Sequence, residues 1–438
     1  MRAAPPLQSF LVFGICAGVF FLGANASAQV SFYGSPASLS VADGGNTGSA
    51  EGESEGGAEG GAEGESEGGP GLGIFANKPF DINFALREGF DSNVYTTSTD
   101  PTSSWYTNVG AGLNYSFGSP RLQLGASLGG GVTYYYTRPG DKVDFNGSFA
   151  LNALYRATPR LSLSITTSTA YLSQPDVAII GGSNRQDGDY LYSNTSISGA
   201  YQWNEIITTV TTYNFTALYY LEQALNDTQG NISQTLAQSI NYLWKPKTTL
   251  VAEYRANAIT YYEADLDQFG NYFLVGFDQI FNPRFIWNLR VGAQLNFNNN
   301  AIDGSSTYLG PYGESTLSYQ FAPASTLAWN MRYGTEQSGL TNVSQRQTFR
   351  TGLNLTHQFN NRIAATAGMN YQANYYDQSG VIQSYYENIV DFSVGVSYRV
   401  NRYVSLDTGY QFTIDMAPSY SNREYNRSVA FVGANFSF

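Results

Sequence analysis

The 438-residue chain holds one histidine and one cysteine, so few of its side chains can do covalent chemistry. Acyl transfer by an activated serine or cysteine needs a general base, normally a histidine oriented by a third group. His357 has the parity of Phe349, Leu353, Leu355 and Phe359, an apolar face, and reads as an interfacial side chain and not as a base. Cys16 lies in an apolar leader, which removes disulfide and thiolate chemistry from the mature chain. Two acidic stretches carry oxygen donors. Asp265-Leu266-Asp267-Gln268-Phe269-Gly270-Asn271 lacks the downstream Glu of a calcium loop, and Asp187-Gly188-Asp189 is shorter still. Both read as solvated carboxylates. No enzymatic activity, metal or other cofactor is expected, and a net charge of −12 gives no footing to nucleic acid.

The remaining charges fall on one parity within alternating segments. Arg255, Arg290, Arg332, Arg350 and Arg399 share a polar face with Glu253, Asp278, Glu314, Glu336, Asp391, Asp407 and Asp415, and Tyr312 has the same parity. On the inner wall of a wet pore, such charges set a transverse field and bias ion selectivity. The alternative is a set of ion pairs that stiffens the wall. Glu253 and Arg255 lie two apart on one face, and Asp391 and Asp407 are expected to approach across neighbouring strands. The mixture of signs predicts a weak preference for cations.

The elements that position these charges must be strands. From Val404 the even positions read Val, Leu, Thr, Tyr, Phe, Ile and Met, and the odd positions read Ser, Asp, Gly, Gln, Thr and Asp. The same alternation runs through 390–399 and 285–296. Period two means one apolar and one polar face. Strands of a soluble sandwich run about five or six residues, whereas these persist for about a dozen, enough to cross a bilayer when tilted. A bilayer tolerates no unpaired edge, so the sheet must close.

Tight turns punctuate the chain roughly every 40 residues. They fall at Phe117–Arg121, Ala157–Arg160, Trp203–Glu205, Trp244–Lys247, Phe281–Arg284, Phe321–Ala324, Phe359–Arg362 and Val400–Arg402. Eight such turns separate nine hairpins, which predicts an all-β, antiparallel, up-and-down transmembrane barrel of about 18 strands, or 16 if one hairpin is miscounted. Longer polar connections, such as 173–189, 223–231, 298–306 and 418–424, belong to the opposite end. A barrel of that size leaves an aqueous channel. Inward Gly129, Gly292, Gly368, Gly395 and Gly409 suit a wall that faces water. Tyrosine doublets at 134–136, 219–220, 261–262, 375–376 and 385–386 mark one interfacial girdle, and Trp203, Trp244, Phe281, Phe321 and Phe359 mark the other.

Ahead of the barrel, Arg2, an apolar stretch from Phe10 to Gly23 and Ala26-Ser27-Ala28 describe a secretory leader, residues 1–28. Residues 29–78 are rich in Gly and Glu and read as a solvated acidic tail, with the barrel at 79–438. Losing Arg2 takes the charge from −12 to −13; the eight acids of residues 29–77 leave −5 for the rest, of which Lys78 contributes +1 and the barrel region −6. Only 13% of the chain is charged, about half the share of a soluble domain.

The segment from Ala430 to Phe438 alternates Val432, Ala434, Phe436 and Phe438 on one face. It resembles the terminal strand of bacterial outer-membrane proteins, and that resemblance implies Phe436 and Phe438 as the signal read by the barrel assembly machinery. The region from Pro79 resembles the putative β-barrel porins, some of which are encoded with exopolysaccharide biosynthesis genes. The resemblance implies the outer membrane with both termini periplasmic, contact with lipid and lipopolysaccharide, and a homotrimer. The expected function is passive diffusion of small hydrophilic solutes. The alternatives are an exopolysaccharide export channel, or a structural or adhesive barrel with a closed lumen.

Overall fold

The computed structural model describes residues 80–173, 188–264, 266–299, 306–340, 343–376, 385–417 and 424–438. The expected leader and acidic tail lie outside these residues, as do Asp187, Asp265 and most of the stretches 173–189, 298–306 and 418–424.

Alternating residues form strands here because each face has its own solvent. The strands are β1 (Phe80–Asp91), β2 (Ser104–Gly118), β3 (Leu122–Tyr135), β4 (Val143–Thr158), β5 (Leu161–Leu172), β6 (Tyr190–Gln202), β7 (Ile207–Tyr220), β8 (Asn231–Lys245) and β9 (Thr248–Tyr261). They continue with β10 (Gln268–Asn282), β11 (Phe285–Asn298), β12 (Ser306–Ala322), β13 (Ser325–Leu340), β14 (Val343–Gln358), β15 (Ile363–Tyr376), β16 (Tyr385–Arg399), β17 (Val404–Met416) and β18 (Tyr425–Ser437). Each pairs antiparallel with the next, and β1 pairs with β18 from Asn83↔Ser437 to Asp91↔Val429, so the 18-stranded sheet closes. The expected strand number and barrel class are borne out.

The eight short turns stand where the punctuation set them, and the asparagines show why. Asn204 Oδ1 accepts the N–H groups of Ile206 and Ile207 at 2.9 and 2.8 Å. Asn360 and Asn401 hold Arg362/Ile363 and Tyr403/Val404 in the same way. A side-chain amide that takes over backbone donors closes a turn in two or three residues. At the other end, one helix is present among the described residues, α1 (Gln223–Gln229), inside a connection expected to be irregular. It covers an apolar cluster of Ala170, Leu172, Tyr190, Leu218 and Tyr220, with Leu225 packed on it.

The outer face presents Phe84, Leu86, Val109, Leu128, Phe145, Leu236, Val291 and Val432. Hydroxyls and amides on that face are spent on cross-strand bonds, such as Thr167 with Thr195 at 2.7 Å and Tyr213 to Gln234 at 2.9 Å. This is the condition for keeping polar groups against hydrocarbon. Trp203, Trp244, Phe281, Phe321 and Phe359 are exposed at the short-turn end. The tyrosine doublets divide by parity. Tyr134, Tyr219, Tyr262 and Tyr386 face outward, whereas Tyr135, Tyr220, Tyr261, Tyr376 and Tyr385 are buried inside.

The inner face departs from the expectation of a wall open to water along its whole height. Toward the long-loop end Asn108, Gln294, Asn296, Asn374, Glu387 and Asp415 are all buried. Polar residues have been gathered there into packed contacts, and the open part of the lumen lies nearer the short turns.

Candidate pore constriction

One strand end, that of β13, leaves its neighbour β12. Pairing of β12 with β13 runs only from Ala322↔Ser325 to Gly313↔Tyr333. Yet β12 stays paired with β11 up to Ser306, and β13 stays paired with β14 up to Leu340↔Val343. Continuing the register would set Thr335 against Pro311, which has no N–H to contribute to a ladder. Thr335 instead finds its partner two strands away. Its N–H donates to Gln294 Oε1 at 3.1 Å, and its carbonyl accepts from Gln294 Nε2 at 2.8 Å and from Asn296 Nδ2 at 3.4 Å. Gln294 and Asn296 have the parity of Arg290 and point inward, so the end of β13 crosses the inner face of β12. Burial agrees. Thr335 has the outward parity of Trp329 and Tyr333 but is 4% exposed, and Gln294 is fully covered. A side chain at Gly334 would press on Tyr312, so a glycine permits this close approach. The end of β13 therefore curls over the inner face of the wall, while β14 stays paired with β15 up to Arg346↔Tyr376.

Below it lies a charged row. Arg290, Glu314, Arg332 and Arg350 stand directly opposite one another across β11–β14. Residues so placed share a face at about 5 Å spacing, within ion-pair reach. Arg255 of β9 forks onto Glu314 with contacts of 2.5 and 3.0 Å and also bonds Glu253. Arg290 bonds Asp278 at 2.8 Å and lies 3.8 Å from Glu253. Glu336, at the root of the infolded end of β13, takes Arg350 at 2.6 Å, Arg346 at 3.3 Å and Arg332 at 3.5 Å. Tyr312 donates to Glu314 at 2.7 Å, and the Arg255 and Arg332 guanidinium groups lie 5.8 and 5.7 Å from its ring centre. Tyr272 meets the same ring edge-on at 5.0 Å.

The other predicted charges sit elsewhere. Asp391 accepts from Gln411 at 2.5 Å and Thr413 at 2.7 Å. Asp407 takes Arg87 at 3.0 Å and Asn435 at 2.8 Å. The two do not approach one another, because Asp391 stands opposite Thr413 and Asp407 opposite Ser397 in the β16–β17 register. Asp415 is buried opposite Ile389 and Tyr425. Arg399 is exposed beside a short turn and has no ion pair among the described residues.

Parity would have found five charges that the sequence reading passed over. Arg87 and Asp91 alternate with Ala85 and Gly89 on the inner side of β1, and Arg427 and Glu387 do the same on β18 and β16. Arg427 holds Asp91 at 2.5 Å, and Arg87 reaches Asp407 across β18, so both pairs bridge the seam where the barrel closes. A fifth, Arg346, follows the parity of Arg350. Asn374 and Tyr376 donate to Glu387 at 2.8 and 3.0 Å, and Tyr376 stacks on Tyr385 at 4.4 Å.

A serine–histidine contact also went unseen. The Phe321–Ala324 turn brings Ser325 opposite His357, with Oγ 2.8 Å from Nδ1. Ser325 is 1% exposed and its Oγ also accepts the Gln358 N–H at 3.3 Å. His357 packs between Phe321 and Phe359 on the outer face, as its parity indicated. Replacing Ser325 with alanine is expected to leave pore conductance unchanged in planar bilayers, because the pair touches only the outer rim.

Comparison with known proteins meets this geometry in the strands that carry it. Residues 299–438 match the family described as Putative beta-barrel porin 2. The match bears out the resemblance to the β-barrel porins. The matched segment holds β12–β18, and therefore Glu314, Arg332, Glu336 and Arg350, while β1–β11 lie outside it. No curated protein matches the sequence. Among solved structures, the chain is similar to OpdK of Pseudomonas aeruginosa crystallised with vanillate, at 11% identity and TM-score 0.43, over 82% of this chain and 99% of that one. OccAB4 of Acinetobacter baumannii gives 10% identity and TM-score 0.42 over 83% and 99%. The FrpB iron transporter from Neisseria meningitidis, F3-3 variant, gives 9% and 0.38 over 77% of this chain, which spans 62% of FrpB.

Proposed function

We propose that the chain is a bacterial outer-membrane channel for passive diffusion of small hydrophilic solutes, narrowed by the infolded end of β13 and weakly selective for cations. It acts as a pore and not as a catalyst, with the short turns and both termini on the periplasmic side. The observation that carries this reading is the charged inner row beneath a strand end held inward by Gln294. A barrel of this strand number is wide enough for water, and the infolded strand end reduces that width at one height. Of the twelve charges named from sequence, all but the buried Asp415 then act as pore-lining groups, and the net −6 of residues 79–438 supports the cation preference. The inward tyrosines do not form an open track for sugars. Tyr190, Tyr220, Tyr376 and Tyr385 are buried against one another, which weighs against dedicated polysaccharide export.

Liposome swelling tests the reading. Vesicles carrying the purified protein should admit small sugars faster than large ones, and vesicles that exclude every sugar would overturn it. Selectivity has its own test. Asp391 takes its hydrogen bonds from neutral groups, so Asp391→Asn removes a charge without breaking an ion pair. The reversal potential in a potassium chloride gradient should move toward the anion side. An unmoved potential would take Asp391 out of the conducting path.

A further inference from the structure

Arg332 differs from every other arginine of the constriction. Its side chain is 45% exposed, whereas Arg255, Arg290, Arg346 and Arg350 lie between 4% and 26%. Its carboxylate, Glu336, is shared. Arg350 and Arg346 reach Glu336 at 2.6 and 3.3 Å, closer than the 3.5 Å of Arg332. One carboxylate thus serves three guanidinium groups. Glu314, the neighbour of Arg332 in the row, is already forked by Arg255 and bonded by Tyr312. Arg332 is therefore an exposed cation with the weakest local compensation, lying against Tyr312 just below the infolded end of β13.

We propose that Arg332 is an anchoring site within the pore for the oxyanion group, carboxylate or phosphate, of small organic solutes in transit. A guanidinium presents parallel donors that match two oxygens of such a group. In this pore the donors face water, and among the described residues no carboxylate lies closer to them than Glu336. The wall behind Arg332 prevents its collapse. Tyr312 fills the space on one side, and Arg350, directly opposite on β14, repels it on the other. The net acidity of the barrel sets the bulk preference for small cations, and Arg332 acts at one height on solutes that carry an oxyanion. This inference rests on the diffusion reading, since an anchor without a conducting path would have no traffic.

The test is current block in planar bilayers, with benzoate and phenyl phosphate as probes and benzamide as the neutral control. Arg332→Gln and Arg332→Lys should both give heat-modifiable, folded barrels, because the side chain is exposed. The natural chain should show transient block by both oxyanions and none by benzamide. Arg332→Gln should weaken that block about tenfold or more, the loss of one charge-assisted contact, and Arg332→Lys should retain part of it. Equal block in the natural chain and Arg332→Gln would overturn the anchor, as would a conducting natural pore that no oxyanion blocks. Benzamide blocking as well as benzoate would also overturn it. Block by only one of the two oxyanions, lost in Arg332→Gln, would support the anchor and fix its ligand. A folded natural barrel that carries no current would instead sink the diffusion reading, and this inference with it.

Discussion

Gln294→Ala should raise single-channel conductance about twofold or turn steady steps into flickering between two levels, because the clamp on the end of β13 is one amide that both donates and accepts. Removing it leaves the Thr335 N–H and carbonyl buried with only the 3.4 Å contact from Asn296. A buried backbone group left unmatched costs about 1–3 kcal/mol; the N–H loses its partner outright and the carbonyl keeps the Asn296 contact, so the infolded position loses roughly 1–3 kcal/mol plus part of the carbonyl's share. A shift of about 5.5 kcal/mol carries a two-state element from 99:1 to 1:99. The end of β13 can escape that cost by lifting off the inner face of β12, where water satisfies Thr335, while β14 stays paired with β15. The wall below Gly313 stays paired and the barrel stays closed. Gln294→Glu makes a useful contrast. It keeps the acceptor for the Thr335 N–H, loses the donor for the carbonyl, and should give an intermediate result. A Gln294→Ala pore with natural conductance and quiet steps would show that the end of β13 is not held by this residue.

Asp91→Ala should destabilise the barrel by about 3–5 kcal/mol, the cost of leaving a buried charge without its partner. Arg427 donates to Asp91 through Nε and Nη2, and Asp91 is 1% exposed. The pair joins β18 to β1, the only neighbours that are remote in sequence, so it acts on the closing step. Asp91 also accepts the Asn93 N–H at 3.0 Å, which ties the first long connection to the same point. Urea unfolding of the refolded protein in detergent measures the loss. The double change Asp91→Leu with Arg427→Met should recover most of it, because a buried ion pair replaced by apolar side chains is close to neutral. A double variant as unstable as Asp91→Ala would mean that the loss comes from packing around Asp91 and not from the stranded charge.

The barrel was legible in the sequence because a membrane wall obeys a two-residue rule along nearly all of its length. Val404–Met416 shows its outward and inward faces by inspection, and asparagines such as Asn360 and Asn401 mark where the chain reverses. The pairing of Glu253 with Arg255 followed from their spacing alone. The constriction was not legible, because it depends on register across strands far apart in the chain. Gln294 and Thr335 are both unremarkable in local pattern, and only the break in pairing at Gly313 brings them together. Pro311 was the available sign, since a proline inside a strand of this length marks a place where a ladder fails. Asp391 and Asp407 were expected to meet because they lie on adjacent strands, but adjacency fixes neither height nor partner. Arg87 claims Asp407 from across β18, a contact that only barrel closure creates.

Single-channel current through the purified protein in a planar bilayer tests the central claim most directly. The account predicts ohmic steps in potassium chloride with weak cation selectivity, and larger steps for Gln294→Ala. A folded, inserted barrel that stays silent in both forms would contradict it and leave a closed, structural barrel in its place.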